Sequence, residues 1–178
     1  TLSAWVKDVA GNVSTRVDSN MVHLNTSVPA APTALSLVTP SSSPGNVTTP
    51  TLQVGGVSVG DTVTLYTSSP CTGGTSKGSA TVATGTTVNI TTSTLTDGTY
   101  TFYAKTVNAA NTASNCSTAN VAYVLDTAAP ADPSISINGG AAYTLSTSVS
   151  LTLAATDATQ MYITNTAGCG SGGSYEAY

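Results

Sequence analysis

The chain has 178 residues, enough for one ordinary domain or two small ones. Only 7% of them are charged, against about 25% in an ordinary soluble domain, and the formal net charge is -4. Four scattered Lys and Arg form no counterion-releasing patch, which argues against nucleic-acid binding, and no apolar run approaches the roughly 18 residues that span a bilayer, so no membrane insertion is expected.

Threonine (34 residues) and serine (23) dominate the composition. Threonine and β-branched residues fit a pleated, half-buried surface, and good helix formers are scarce. In chain order the first strands are expected at 1–7 and 16–24. Seven more follow at 34–38, 51–54, 62–67, 79–84, 87–91, 99–107 and 118–125, and three after residue 127. Alternation is plain in Thr62-Val63-Thr64-Leu65-Tyr66 and in Ser148-Val149-Ser150-Leu151-Thr152-Leu153. Turn clusters separate the strands, among them Val54-Gly55-Gly56, Cys71-Thr72-Gly73-Gly74 and Thr96-Asp97-Gly98. Short strands at spacings of about 8–12 residues, with no 3.6-residue apolar period, predict an all-β sandwich.

The chain also resembles itself. Leu24-Asn25-Thr26-Ser27-Val28-Pro29-Ala30-Ala31-Pro32 matches Leu125-Asp126-Thr127-Ala128-Ala129-Pro130-Ala131-Asp132-Pro133. Asp8-Val9-Ala10-Gly11-Asn12-Val13-Ser14 matches Asn108-Ala109-Ala110-Asn111-Thr112-Ala113-Ser114, and Leu65-Tyr66-Thr67 matches Tyr162-Ile163-Thr164. The period is about 100 residues, the length of one immunoglobulin-type sandwich. The expected organisation is one complete sandwich flanked by partial repeats: 1–28 as the C-terminal strands of a first, 29–126 whole, and 127–178 as the N-terminal half of a third. Proline linkers would join them. A window cut from a longer array is the first explanation. A head-to-tail filament, in which one copy's tail is completed by the next copy's head, is the second; its two ends together fall about 20 residues short of a repeat.

Within 29–126, Thr96-Asp97-Gly98-Thr99-Tyr100 is expected to form a tyrosine corner, with the phenol bonding back to the backbone. Tyr100, Phe102 and Ala104 then face the core, with Leu52, Val54, Val63, Leu65, Val88, Ile90, Val121 and Val124 or Leu125. Tyr103 and Lys105 face outward.

The strings Asp97-Gly98-Thr99-Tyr100-Thr101-Phe102-Tyr103-Ala104-Lys105, Asp8-Val9-Ala10-Gly11-Asn12 and Leu125-Asp126-Thr127-Ala128-Ala129-Pro130 resemble tandem bacterial immunoglobulin-like repeats of large secreted or surface-anchored proteins, including adhesins. The resemblance covers essentially the whole chain. It implies an extracellular or cell-surface setting and a non-catalytic role as a spacer, stalk or adhesive fibre. Neighbouring repeats are the implied partners, and a cell-surface or glycan ligand is a further one. An accessory segment of a secreted enzyme is a third possibility. Where repeat one has the complete Asp-x-Ala-Gly-Asn turn, repeat two has lost the glycine, and Asn111 must supply any left-handed turn geometry.

In such a setting a disulfide is natural for Cys71, Cys116 and Cys169. Cys71 with Cys116 is the default pair. Against it, sandwich connectivity would put the loops that follow strands 62–67 and 99–107 at opposite poles; Cys71 would then meet the corresponding loop of the next repeat. Cys169 has no partner among residues 1–28. Trp5 and Tyr103 are candidate contact aromatics, and Tyr123 extends the same reasoning; the preferred expectation is that Trp5 lies across a neighbouring strand's side chains.

No catalytic constellation emerges. His23, the sole histidine, sits on an expected strand, and Glu176 is the only glutamate. No Gly-x-Ser-x-Gly elbow or phosphate loop occurs. One histidine and three cysteines without C-x-x-C spacing make no zinc set. Asp126 with Asp132 is the only start of a Ca²⁺ site, and turn roles suit both better. No cofactor or metal is expected.

Overall fold

Short runs of alternating threonine and apolar residues become strands here, and the Gly, Pro and Asn clusters become the connections between them. The computed structural model describes residues 2–20, 26–72, 76–166 and 171–178. The chain divides into two units, Thr1–Asp126 and Thr127–Tyr178.

The first unit opens with a hairpin. β1 (Ser3–Ala4) pairs antiparallel with β2 (Val17–Asp18), and Lys7 bridges Val13 nearer the turn. These strands are shorter than expected because serine side chains replace ladder partners. The Val6 N–H donates to Ser14 Oγ (3.0 Å) and the Leu2 N–H to Ser19 Oγ (2.9 Å). Residues 21–25 of the expected strand 16–24 lie outside the described residues.

Among the described residues seven strands then build an all-β sandwich. They are β3 (Ala34–Thr39), β4 (Thr51–Gly55), β5 (Thr62–Tyr66), β6 (Ser76–Thr81), β7 (Thr87–Thr91), β8 (Gly98–Val107) and β9 (Val121–Leu125). One antiparallel sheet has the order β3-β4-β7, and the other β6-β5-β8-β9. Register sets which residues meet: Leu52 lies opposite Ile90, Val54 opposite Val88, and Leu65 opposite Ala104. The period of two turns these residues to the interior, where Leu52, Val54, Val63, Leu65, Ile90 and Phe102 are at most 1% exposed. Each large apolar side chain buried this way contributes about 1.5–3 kcal/mol.

Loop residues plug the ends of this core. Val57, Val82 and Leu95 are buried outside any strand. Their amides stay satisfied, Val82 N–H donating to Asp61 O (2.8 Å) and Leu95 N–H to Thr48 O (2.8 Å). Val82 turning inward also explains why β6 ends at Thr81, three residues before the expected 84.

Tyr100 forms the expected corner, its hydroxyl donating to Thr96 O at 2.7 Å. Tyr123 corrects an expectation: it is fully buried, not an outward contact aromatic. Along β9 the buried positions are Tyr123 and Leu125, and Val124 faces outward. The buried phenol is tolerated because its hydroxyl donates to Val47 O (2.9 Å) and accepts from Val47 N–H (3.1 Å).

The free edge of β9 is covered by the segment after β3. Gly45 bridges Leu125 in parallel, with Gly45 N–H to Val124 O and Asp126 N–H to Gly45 O both at 3.0 Å. The approach needs glycine: a Cβ there would lie 2.8 Å from Pro40 Cγ and 3.1 Å from Tyr123 Oη.

The second unit contains β10 (Ala131–Ile137), a three-residue 3₁₀ turn (Asn138–Gly140), β11 (Leu151–Thr156), β12 (Gln160–Tyr162) and β13 (Tyr175–Ala177). β10 pairs with β11 and β12 with β13. Among the described residues four strands stand where three were expected. The extra one, β13, occupies the position relative to β12 that β6 holds relative to β5: Tyr162 faces Tyr175 as Leu65 faces Gly78.

Candidate functional site

Candidate contact side chains stand on the outer face of the four-stranded sheet, beside a disulfide. β5 and β8 lie side by side, and their outward positions are Tyr66, directly opposite Tyr103, and Thr64, opposite Lys105. Alternation with buried Phe102, Ala104 and Thr106 sends Tyr103 and Lys105 outward, as expected from the sequence. Tyr66 was missed as their companion. The signal was present in the run Thr62-Val63-Thr64-Leu65-Tyr66, which puts Tyr66 on the side opposite Val63 and Leu65.

Cys71 and Cys116 form a disulfide with their Cα atoms 5.4 Å apart. The expectation that their loops stay at opposite poles fails for a definite reason. After β8 the chain doubles back along it. Ser114 N–H donates to Thr106 O (2.8 Å) and Ser117 N–H to Ala104 O (2.8 Å). The serine hydroxyls return the favour, accepting from Thr106 N–H (3.0 Å) and Ala104 N–H (2.9 Å). Cys116 is thereby carried from the end of β8 back to its middle. The loop after β5 comes to meet it: Cys71 is buried, its Sγ 3.7 Å from the Ala104 carbonyl oxygen. Cys71 has φ 61°, a left-handed conformation unusual for a side-chain-bearing residue.

Between these two joined segments lies an open trough of about 580 Å³, lined by Ser69, Pro70, Tyr103, Lys105, Asn115 and Cys116 among others. None of its lining residues is acidic. Lys105 is partly buried, and among the described residues it has no carboxylate partner; the ion pair found there is Arg16 with Asp18, on the exposed first hairpin.

Trp5 stands elsewhere, on the first hairpin, and is 60% exposed. His23 and Cys169 lie outside the described residues.

Two turns show how one sequence motif tolerates drift. Asp8 Oδ1 accepts from Asn12 N–H (2.7 Å), its Oδ2 accepts from the Asn12 side-chain amide (2.8 Å), and Gly11 takes φ 95°. These bonds from Asn12 hold the Asp8 carboxyl below the ordinary carboxylate range. In the later turn Asn108 Oδ1 accepts from Ala110 N–H (3.0 Å) and Thr112 N–H (2.9 Å), and Asn111 supplies the positive φ, 60°. Asn108 also donates from Nδ2 to Ser27 O (2.9 Å), which ties the turn to the incoming linker.

Among the described residues no three of His, Cys, Asp and Glu gather where a metal ion could be held, and no helix is long and apolar enough to cross a membrane. No protein-family model matches the chain, and no curated protein matches it by sequence.

Proposed function

We propose that the chain is a stretch of tandem immunoglobulin-type sandwich repeats from an extracellular bacterial protein, serving without catalysis as a structural spacer or an adhesive fibre. The observation that carries this reading is the recurrence of cross-strand register. Leu35 faces Val54 and Leu37 faces Leu52; about 100 residues later Ile135 faces Leu153 and Ile137 faces Leu151. The Val6–Ser14 pair, with its side-chain acceptor, recurs as Thr106–Ser114. Repetition of pairing, and not only of composition, supports one module used again and again.

Two properties suit that task. The Cys71–Cys116 disulfide fits an oxidising compartment. A chain with only 7% charged residues and abundant hydroxyls depends little on salt and attracts few partners non-specifically.

The reading frame of the gene tests the proposal. Further copies of the Leu-Asx-Thr-x-x-Pro junction at intervals of about 100 residues, together with an export signal, are the expected finding. A single copy inside an intracellular enzyme would overturn it.

A further inference from the structure

We propose that the trough beside the Cys71–Cys116 disulfide binds an acidic saccharide, a sugar ring carrying a carboxylate. The site goes beyond the spacer role, which stands or falls on the reading frame whatever the trough binds.

The volume of about 580 Å³ lies in the range of small-ligand sites, and it is open enough for a chain of sugars to pass through. Tyr103 offers a partly buried aromatic surface on which the C–H face of a pyranose can rest. Exposed Ser69, Asn115, Thr118 and Asn120 surround it with hydroxyls and amides. Those groups both donate and accept, which is what the alternating hydroxyls of a sugar require.

Lys105 selects the charge. Its side chain is partly buried along a trough with no acidic lining residue. A cation with no carboxylate partner among the described residues is free to meet an anion on the ligand through a charge-assisted hydrogen bond. The disulfide supplies rigidity. It ties the segment holding Ser69 and Pro70 to the segment holding Asn115 and Thr118, so that little ordering is left for the ligand to impose.

Other occupants fit worse. A peptide would need an apolar socket for an anchoring side chain, and the trough has none apart from the tyrosine ring and Pro70. A nucleic acid would need several cations, and the lining contains one.

The test uses the whole oxidised chain, with amide chemical shifts followed by NMR. The probes are oligogalacturonate, oligoglucuronate and sialyllactose at millimolar concentration, with fully methyl-esterified oligogalacturonate as the neutral control. Shifts confined to the neighbourhood of Tyr103, Lys105, Asn115 and Asn120 are expected for at least one acidic probe. Lys105→Gln should weaken its binding about tenfold or more, and added salt should weaken it too. Tyr103→Phe should retain binding while Tyr103→Ala loses it. Both side chains face outward, and Lys105→Gln alone decides the point should Tyr103→Ala fail to fold. Silence of all three acidic probes overturns the proposal. Equal shifts from the methyl ester, or shifts centred elsewhere, do the same.

Discussion

Thr106 lies fully buried between the sheets, and its hydroxyl has no hydrogen-bond partner among the described residues. Leaving a buried hydroxyl unpaired costs about 1–3 kcal/mol, whereas replacing it by a methyl of the same shape removes the cost and adds apolar contact. Thr106→Val should therefore raise stability by about 1 kcal/mol, read as a higher urea midpoint at unchanged slope. A lower midpoint would mean that the hydroxyl is bonded after all. Tyr123 shows the opposite solution, a buried phenol placed against the Val47 backbone at the end of the core. The two tyrosines differ in how far their sequence neighbours disclose a side chain's direction. Tyr100 was legible because Thr96-Asp97-Gly98 fixes a turn immediately upstream and so fixes where the ring points. Tyr123 was not, because Val121-Ala122-Tyr123-Val124-Leu125 is apolar at every position and either register would bury something.

Among the strands, local signals are legible in the sequence and long-range ones are not. β7 falls where alternation put it, at Thr87–Thr91, and β8 ends at the expected Val107. The return path after β8 was hidden because it depends on Ser114 and Ser117 hydroxyls substituting for ladder groups, and no propensity scale carries that information. The trough and the disulfide both follow from that path. The Asp8–Asn12 turn was legible and makes a prediction of its own. Bonds from Asn12 lower the Asp8 carboxyl, so the ionised form supports the first hairpin. That support is complete above the unfolded carboxylate value of about 3.9 and is lost as pH falls through the lower folded value. Carboxyl-carbon NMR should place the Asp8 midpoint below that of an ordinary aspartate, with the Ala4–Val17 pairing weakening over the same acid interval. Asp8→Asn should abolish this pH dependence, since Asn108 already serves in the equivalent turn without titrating. An ordinary Asp8 midpoint would show that the carboxylate does not hold the turn.

A spacer or adhesive fibre, as proposed, would be put under tension, and the sandwich contains two devices that bear on it. Ser43 and Gly45 bind β9 in parallel: Val124 N–H donates to Ser43 Oγ (2.8 Å), and Gly45 exchanges two bonds with the Val124–Asp126 backbone. In a parallel pair the chain enters at one end and leaves at the other. Tension from the two sides therefore loads these bonds together in shear, and they cannot peel one at a time. The disulfide is the second device. It joins residues 45 apart in sequence, and that enclosed segment cannot extend while the bond is intact. At roughly 3.3–3.6 Å per residue the shielded length is about 150 Å. Pulling the full chain by its ends should thus give one sandwich step in oxidising buffer, and reductant should lengthen that step by about 150 Å. Cys71→Ser with Cys116→Ser should reproduce the longer step without reductant. The peak force should fall only modestly, because the β9 clamp lies outside the cross-linked loop. A step length indifferent to reductant would place the disulfide outside the folded, load-bearing part and remove its mechanical role. A collapse of the force on reduction would assign the resistance to the disulfide and not to the parallel pairing of Gly45 with β9.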